Sequence, residues 1–189
     1  CNWLAKNKIP FCLLQEGIRF PLPGEGKSNY GGAGAKKIFV WGERSASYFR
    51  NIKKEDSELR VTGSPRFDKF VDEVKQLVSK DKGNGKILGV FTNPIDDQGF
   101  CTKSEKLDLF ESFVKRAAPF LEKNNIDLGI KCHPREDIQD YLLIARRYIK
   151  AFELEVDIKK AIVRVDAGVI IASTVGLELL AAEKPIAQL

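Results

Sequence analysis

Hydrophobic residues along this chain form short apolar runs separated by longer stretches with helical periodicity. The strand-like runs are brief and lie at residues 8–14, 37–41, 59–62, 87–92, 126–130 and 167–172. The intervening apolar positions recur at helical spacing within residues 45–51, 64–79, 102–121, 138–149 and 173–183. Strands that alternate with helices in this way are typical of parallel βαβ units. The pattern therefore predicts an α/β fold with parallel sheets.

Local signals place several helix starts. Ser64 and Pro65 combine a cap residue with a proline at the first helical position. Thr102 and Glu105 have the spacing of a capping box, and Pro119 should kink or shorten the helix that follows. Weaker patterns predict a strand at 151–155, a helix at 157–164, and the start of a strand at 185–189.

Two glycine-rich stretches divide the chain. Residues 80–86, KDKGNGK, have no apolar side chain and are predicted to link two domains. Residues 21–34 are predicted to form a surface loop, and they include GEGKS. A phosphate loop needs a glycine where Pro21 stands and a helix after Ser28, where SNYGGAG follows, so we reject that interpretation.

We accordingly expect residues 1–79 to be the latter part of an N-terminal domain and residues 86–189 to be most of a C-terminal domain. The chain begins at Cys1 and has no methionine, so we interpret it as a fragment. Its first domain is expected to lack opening strands and its second to lack an end.

Composition narrows the class of protein. With 43% hydrophobic and 30% charged residues, the 189-residue chain is ordinary for a globular protein, and no apolar run approaches the ~20 residues of a membrane span. The net charge of +5 at pH 7 suits an anionic ligand. Basic residues are scattered and no nucleic-acid-binding motif is present, so we expect no nucleic-acid partner. The four cysteines lie far apart with no CxxC pairing, which favours a reducing cytoplasm. A single histidine cannot complete a zinc site of usual spacing, so we expect no metal, and we expect no other cofactor.

His133, the only histidine, is the first candidate for chemistry. It follows the apolar run 126–130 and is flanked by Lys131 and Arg135. Ligands of open α/β sheets bind just beyond the carboxyl ends of strands. An imidazole between two cations suits recognition of phosphate oxygens, or proton donation to a departing phosphate. The alternative is an ordinary histidine at a strand end.

Ser173 and Thr174 form the second candidate site, where a buried strand turns into a helix. Hydroxyl groups and free backbone N–H groups at such a turn can hold phosphate without metal, and Gly176 would let another group approach. Glu178, one turn further, could accept hydrogen bonds from a ribose. The alternatives are a common serine cap and a solvated helix glutamate.

Glu16 is the third candidate, because it follows an apolar run and precedes the glycine-rich loop. A carboxylate there could act as general base on an acceptor hydroxyl; the alternative is a solvated turn residue. Asp96 and Asp97 are adjacent in a turn, where side chains tend to point apart, so we propose no metal there.

Five segments together resemble GT-B glycosyltransferases. They are IPFCLLQEGIRF, KKIFVWGERSASYF, LRVTGSPRFDKF, IKCHPRED and VIIASTVGLELLAAEKPIA, which occur in the family's order. The chain looks like the branch that contains capsule and surface-polysaccharide transferases, sialyltransferase-like and glycerophosphotransferase-like enzymes, and UDP-N-acetylglucosamine 2-epimerases. The resemblance implies two Rossmann-like parallel-sheet domains. It also implies that His133-Pro134 and Ser173-Thr174 hold the phosphate of a nucleotide, with Glu178 on its ribose.

The chain departs from each branch at particular residues. Gln15-Glu16-Gly17 matches the last two positions of the acidic-acidic-glycine motif that supplies the base in sialyltransferase-like members, whereas glycerophosphotransferase-like members have a histidine where Glu16 stands. Epimerases have Asp-Ser-Gly-Gly before the last helix, where this chain reads ASTVG.

The resemblance therefore implies a metal-independent, inverting transfer from a nucleotide-sugar to a surface-polysaccharide or glycolipid acceptor. Glu16 would be the base, and His133 and Glu178 would belong to the donor site. The alternatives are an epimerase-like enzyme, a glycerophosphotransferase-like enzyme, or a non-catalytic nucleotide-binding module. The expected location is the cytoplasm, with peripheral association at the inner membrane face left open.

Overall fold

The chain folds into two parallel β-sheets flanked by helices, which confirms the predicted α/β class. The computed structural model describes residues 2–17, 34–53, 55–78 and 86–189. The chain divides into two compact units, Cys1–Arg66 and Phe67–Leu189. The predicted loop at 21–34, apart from Gly34, and the predicted linker at 80–86, apart from Lys86, lie outside the described residues.

The first unit contains a three-stranded sheet. Its elements are α1 (Asn2–Lys6), β1 (Cys12–Leu14), β2 (Lys37–Val40), α2 (Glu43–Ile52) and β3 (Glu58–Val61). The strands lie in the order β1-β2-β3, all parallel, and their core includes Leu13, Ile38 and Phe49. Helix α1 was not predicted. Strand β1 is shorter than the apolar run at 8–14, because Lys8 has a left-handed backbone (φ +56°) and pairing begins at Cys12.

The second unit contains a five-stranded sheet. Its elements are α3 (Pro65–Val78), β4 (Lys86–Phe91), α4 (Lys103–Lys123), β5 (Ile126–Lys131), α5 (Ile138–Ala145), β6 (Ala151–Glu153), α6 (Ile158–Arg164), β7 (Ala167–Ile170), α7 (Val175–Ala181) and β8 (Ile186–Gln188). The strands lie in the order β6-β5-β4-β7-β8 and all are parallel.

Helices cover both faces of this sheet. On one face α4 and α5 pack through Phe110, Val114 and Tyr141 against β4 and β5. On the other, α3, α6 and α7 form a second apolar cluster. Phe70 and Val74 of α3 belong to that cluster, so α3 from Phe67 onward is part of the second unit.

Helix α4 begins at the predicted capping box: the Thr102 side chain accepts the backbone N–H of Glu105, and the Glu105 carboxylate accepts that of Thr102. The prediction was a kink or a shorter helix at Pro119, and the helix is not shortened, because it continues through Pro119 to Lys123. Proline has no backbone N–H, so Pro119 leaves the Lys115 carbonyl without its intrahelical donor. Both residues lie on the exposed face of α4, where water can bind that carbonyl. Within the described residues, no helix is both long and apolar enough to cross a membrane.

The strand order creates a switch point in the second sheet. From β4 the chain passes to β5 on one side, whereas β7 pairs with β4 on the other side. The carboxyl ends of β5, β4 and β7 therefore lie next to one another at one edge. Such an edge is where open α/β sheets bind ligands.

Candidate functional site

The structure places His133 two residues beyond β5, at the carboxyl edge of the second sheet. Its ring atom Nδ1 accepts the backbone N–H of Arg135 at 3.2 Å. Because that nitrogen is an acceptor, a neutral imidazole here carries its proton on Nε2. The turn is closed by the N–H of Glu136, which donates to the His133 carbonyl at 2.9 Å. His133 thus has a fixed ring with a defined donor atom.

Two cations accompany His133, as the sequence predicted, and both make local contacts. The Lys131 ammonium donates to the Cys132 carbonyl at 3.1 Å. The exposed Arg135 guanidinium lies 3.4 Å from a carboxylate oxygen of Asp97. Asp97 therefore offsets part of the positive charge of this corner.

A buried ionic cluster lies beneath the His133 corner, and sequence analysis missed it. The Lys106 ammonium, on a side chain that is 4% exposed, lies 2.5 Å from Asp96 Oδ1 and 2.8 Å from Glu136 Oε1. Glu136 also accepts the hydroxyls of Thr92 and Tyr141, each at 2.5 Å. The backbone N–H of His133 lies 3.3 Å from Glu136 Oε2. Glu136 lies within the segment IKCHPRED, and that was the only hint of this cluster in the sequence. Lys106 gave none, because a lysine in an amphipathic helix is normally expected on the surface.

Hydrogen bonds and opposite charges within this cluster keep Lys106 and Glu136 ionised in spite of their burial. Burial raises the pKa of the Glu136 carboxyl, but hydrogen bonds from Lys106, Thr92 and Tyr141 outweigh burial and lower it overall. For Lys106, burial lowers the pKa, and the bonds to Asp96 and Glu136 reverse that effect and raise it. The cluster therefore holds a charged lysine between two charged carboxylates. Burial also raises the pKa of Tyr141, which stays a neutral donor.

Ser173 and Thr174 follow β7 at the same edge of the sheet. The hydroxyl oxygen of Ser173 accepts the backbone N–H of Val175 at 3.3 Å, and Thr174 occupies the cap position of α7 without a side-chain capping bond. Ala172, just before them, has a left-handed backbone with φ +43°. Its carbonyl accepts the side-chain amide of Asn93 at 2.8 Å.

Gly176 and Glu178 are both buried in α7. A side chain on Gly176 would come within 2.7 Å of Ile170 Cδ1, so an apolar neighbour already occupies the space that the missing side chain leaves. Glu178 is only 2% exposed, which excludes the alternative of a solvated helix residue. A ribose could reach that carboxylate only if the surrounding side chains moved.

Glu16 belongs to the first unit, where it is exposed two residues beyond β1. Its neighbour Gln15 is 6% exposed and fixes this strand end. The Gln15 side chain accepts the N–H of Trp41 at 2.9 Å and donates to the Gly17 carbonyl at 2.9 Å. The carboxylate of Glu16 is thus presented to solvent from an anchored backbone.

Asp96 and Asp97 face different partners, namely Lys106 and Arg135. Among the residues that the structure describes, no group of three or more histidine, cysteine or acidic side chains is arranged to hold a metal ion.

The chain is similar to solved structures of the wall teichoic acid polymerase TagF. A histidine-to-alanine variant of TagF has 15% identity and a TM-score of 0.48, over 94% of this chain and 46% of that one. Another TagF structure has 13% identity and a TM-score of 0.46, over 91% and 44%. A histidine-to-asparagine variant soaked with CDPG has 14% identity and a TM-score of 0.45, with the same coverage. The chain spans about half the length of these structures. No protein-family model and no curated protein sequence matches it.

Proposed function

We propose that the carboxyl edge of the second sheet binds the phosphate of a nucleotide-activated donor, and that the chain is part of a GT-B-type glycosyltransferase. His133, Lys131 and Arg135 would contact phosphate oxygens from the β5 side. Ser173 and Thr174 would contact them from the β7 side, and the backbone N–H of Gly176, which donates to the Ser173 carbonyl at 3.3 Å, would hold that turn in place. Glu178 would bind the ribose once it becomes accessible.

The observation that supports this proposal is the fixed orientation of His133. Its Nδ1 accepts a backbone N–H, so the Nε2–H is left as the donor of the neutral ring. A donor at a strand end of the switch point, with two cations within two residues, is suited to hydrogen bonds with phosphate oxygens. As the sugar moves to the acceptor oxygen, the Nε2–H would stay on the neutral ring and stabilise by hydrogen bonding the charge that develops on the leaving phosphate. Transfer of a proton to that phosphate would require the imidazolium form, because the neutral ring would otherwise become imidazolate.

Binding tests the first part of the proposal. We expect at least one of CMP, CDP, UDP and GDP to raise the unfolding temperature of the chain, because a ligand at ~100 times its Kd adds about 2.7 kcal/mol. His133→Ala should abolish that increase. Lys123→Ala, which removes an exposed cation from the end of α4, is the matched control and should leave it unchanged. No stabilisation by any of the four nucleotides would show that the proposal is wrong.

Glu16 is proposed as the general base that deprotonates the acceptor hydroxyl in a metal-independent, inverting transfer. The acceptor would be a surface polysaccharide or glycolipid, handled in the cytoplasm or at the inner membrane face. Glu16→Gln should abolish transfer by the whole protein and leave nucleotide stabilisation intact, and chelation by EDTA should leave transfer unchanged. A Glu16→Gln variant that transfers at the wild-type rate would remove Glu16 from this role.

The competing activities differ in what they consume. A nucleotide-sugar epimerase converts the donor sugar with no acceptor present, and a glycerophosphotransferase-like enzyme would consume a nucleotide-activated polyol phosphate instead of a nucleotide-sugar. A non-catalytic nucleotide-binding module would bind nucleotide and turn over neither donor. Incubating the whole protein with each donor, with and without acceptor, distinguishes the three from a glycosyltransferase.

A further inference from the structure

Thr92 and Asn93, the two residues directly after β4, contact both segments of the proposed phosphate site. The Thr92 hydroxyl donates to Glu136 Oε2 at 2.5 Å, and its oxygen lies 3.4 Å from the backbone nitrogen of His133. The Asn93 amide donates to the Ala172 carbonyl at 2.8 Å. One dipeptide therefore connects the His133 corner with the turn before Ser173.

The position of β4 in the sheet explains this connection. Strand β4 lies between β5 and β7, so the residues that follow it lie between the two loops in question. Backbone bonds reinforce the arrangement: the N–H of Thr92 donates to the Lys131 carbonyl at 3.1 Å, and the N–H of Ile171 to the Phe91 carbonyl at 3.3 Å. Thr92 is itself only 4% exposed, so its hydroxyl has little access to water as a substitute hydrogen-bond partner.

Ala172 shows why the Asn93 contact is needed. A left-handed backbone at a residue with a side chain is unfavourable and persists only where the surrounding structure holds it. The Asn93 hydrogen bond to the Ala172 carbonyl is such a constraint. It sets the direction in which the chain presents Ser173 and Thr174.

We infer that Thr92 and Asn93 are positioning residues: Thr92 orients the His133 corner and Asn93 orients the Ser173-Thr174 turn, so that both segments face one phosphate group. This inference rests on the proposed function. The Thr92 hydroxyl hydrogen is donated to Glu136 and one Asn93 amide hydrogen is donated to the Ala172 carbonyl, so each side chain is assigned to act through the neighbour that it holds.

The test uses four variants of the chain. Thr92→Val keeps the shape and removes the hydroxyl, and Thr92→Ser restores the hydroxyl. Asn93→Ala removes the amide. Asn124→Ala is the matched control, because Asn124 also donates its amide to a backbone carbonyl, that of Phe120 at 2.7 Å, but it lies at the opposite end of β5. Binding of CMP, CDP, UDP and GDP is measured by calorimetry, and backbone amide shifts by NMR.

We expect Thr92→Val and Asn93→Ala each to weaken binding of the best of these nucleotides about fivefold, the factor that one neutral hydrogen bond is worth. Thr92→Ser should bind nearly as wild type does, and Asn124→Ala should not differ from wild type. In the free protein, amide shifts should change mainly at residues 131–136 for Thr92→Val and at residues 171–175 for Asn93→Ala.

Two results would overturn the inference while leaving the proposed function intact. One is wild-type nucleotide affinity in both Thr92→Val and Asn93→Ala. The other is an equal loss of affinity in Asn124→Ala, with amide shifts spread over the whole sheet, which would indicate a general effect on folding. If the wild-type chain binds none of the four nucleotides, the proposed function fails and this inference fails with it.

Discussion

Replacing Lys106 with methionine should destabilise the second unit through the carboxylate that it leaves behind. Methionine keeps most of the apolar stem and removes the ammonium. Glu136, whose side chain is 4% exposed, would then keep only the hydroxyls of Thr92 and Tyr141 and the backbone N–H of His133 as partners. The variant therefore isolates the effect of an uncompensated buried charge.

The expected loss is about 3 kcal/mol near neutral pH. Removing one partner of a buried ion pair costs ~3–5 kcal/mol, and the lower end applies because the Asp96 side chain, at 17% exposure, can be hydrated. Lys103→Met is the matched control on the same helix. The Lys103 ammonium pairs with Asp140 at 2.6 Å, but its side chain is 61% exposed, so the effect should be much smaller.

The dependence on pH distinguishes this mechanism from a loss of packing. In the wild type the folded pKa of Glu136 is lowered, so its ionised form stabilises the fold above the ordinary carboxyl pKa, and that contribution is lost as pH falls through the folded value. Without Lys106, burial should raise that pKa and favour the protonated acid. The stability difference between wild type and Lys106→Met should therefore shrink as pH falls from about 7 to about 5.

Urea unfolding followed by far-UV circular dichroism at both pH values measures this difference. A Lys106→Met variant that loses no more stability than Lys103→Met would refute the reasoning. So would a difference in free energy of unfolding that stays constant with pH, because packing alone would then account for it.

Three further predictions concern single positions. Thr102→Ala should cost about 1 kcal/mol in urea unfolding by removing the cap of α4, and Thr102→Ser should restore the stability. Gly129→Ala should cost ~1–3 kcal/mol, because its new methyl group would lie 2.7 Å from a buried leucine side chain. Gly42→Ala has open space and an extended backbone, and it should cost less, about 0.5 kcal/mol, because Gly42 is the N-cap of α2, where alanine is disfavoured. Cys132 is partly buried, and this desolvation raises the pKa of its thiol to about 12. At neutral pH iodoacetamide should therefore alkylate Cys132 far more slowly than the exposed Cys12, as peptide mass spectrometry would show, and equal rates would contradict the raised pKa.

Much of the fold follows from local sequence patterns. The apolar run from Ile126 to Ile130 predicts β5 to within one residue, and the capping box at Thr102 predicts the start of α4, because each signal is complete within a few residues. Helix α1 was missed because its five residues show no apolar periodicity over a useful window. Pro119 was predicted to kink or shorten α4, and it does not shorten the helix, because both Pro119 and Lys115, whose carbonyl the proline frees, lie on the exposed face.

The candidate site was predictable only where it follows a strand. His133 and Ser173 could be found because they come directly after apolar runs, and parallel strands bring such positions to one edge. The contacts of Glu136 with Lys106 and of Asn93 with Ala172 join residues 30 and 79 positions apart, so no local pattern reports them. The burial of Glu178 depends in the same way on side chains brought in by other elements.

Phosphate recognition at the His133 corner is the central claim, and calorimetric titration of the chain with CDP or UDP tests it most directly. Each nucleotide is compared with its own nucleoside, cytidine or uridine, and with the His133→Ala variant. We expect a diphosphate nucleotide to bind the wild-type chain, its nucleoside to bind much more weakly, and His133→Ala to lose the difference. Equal binding of nucleoside and nucleotide, or a His133→Ala variant with wild-type affinity, would contradict the claim.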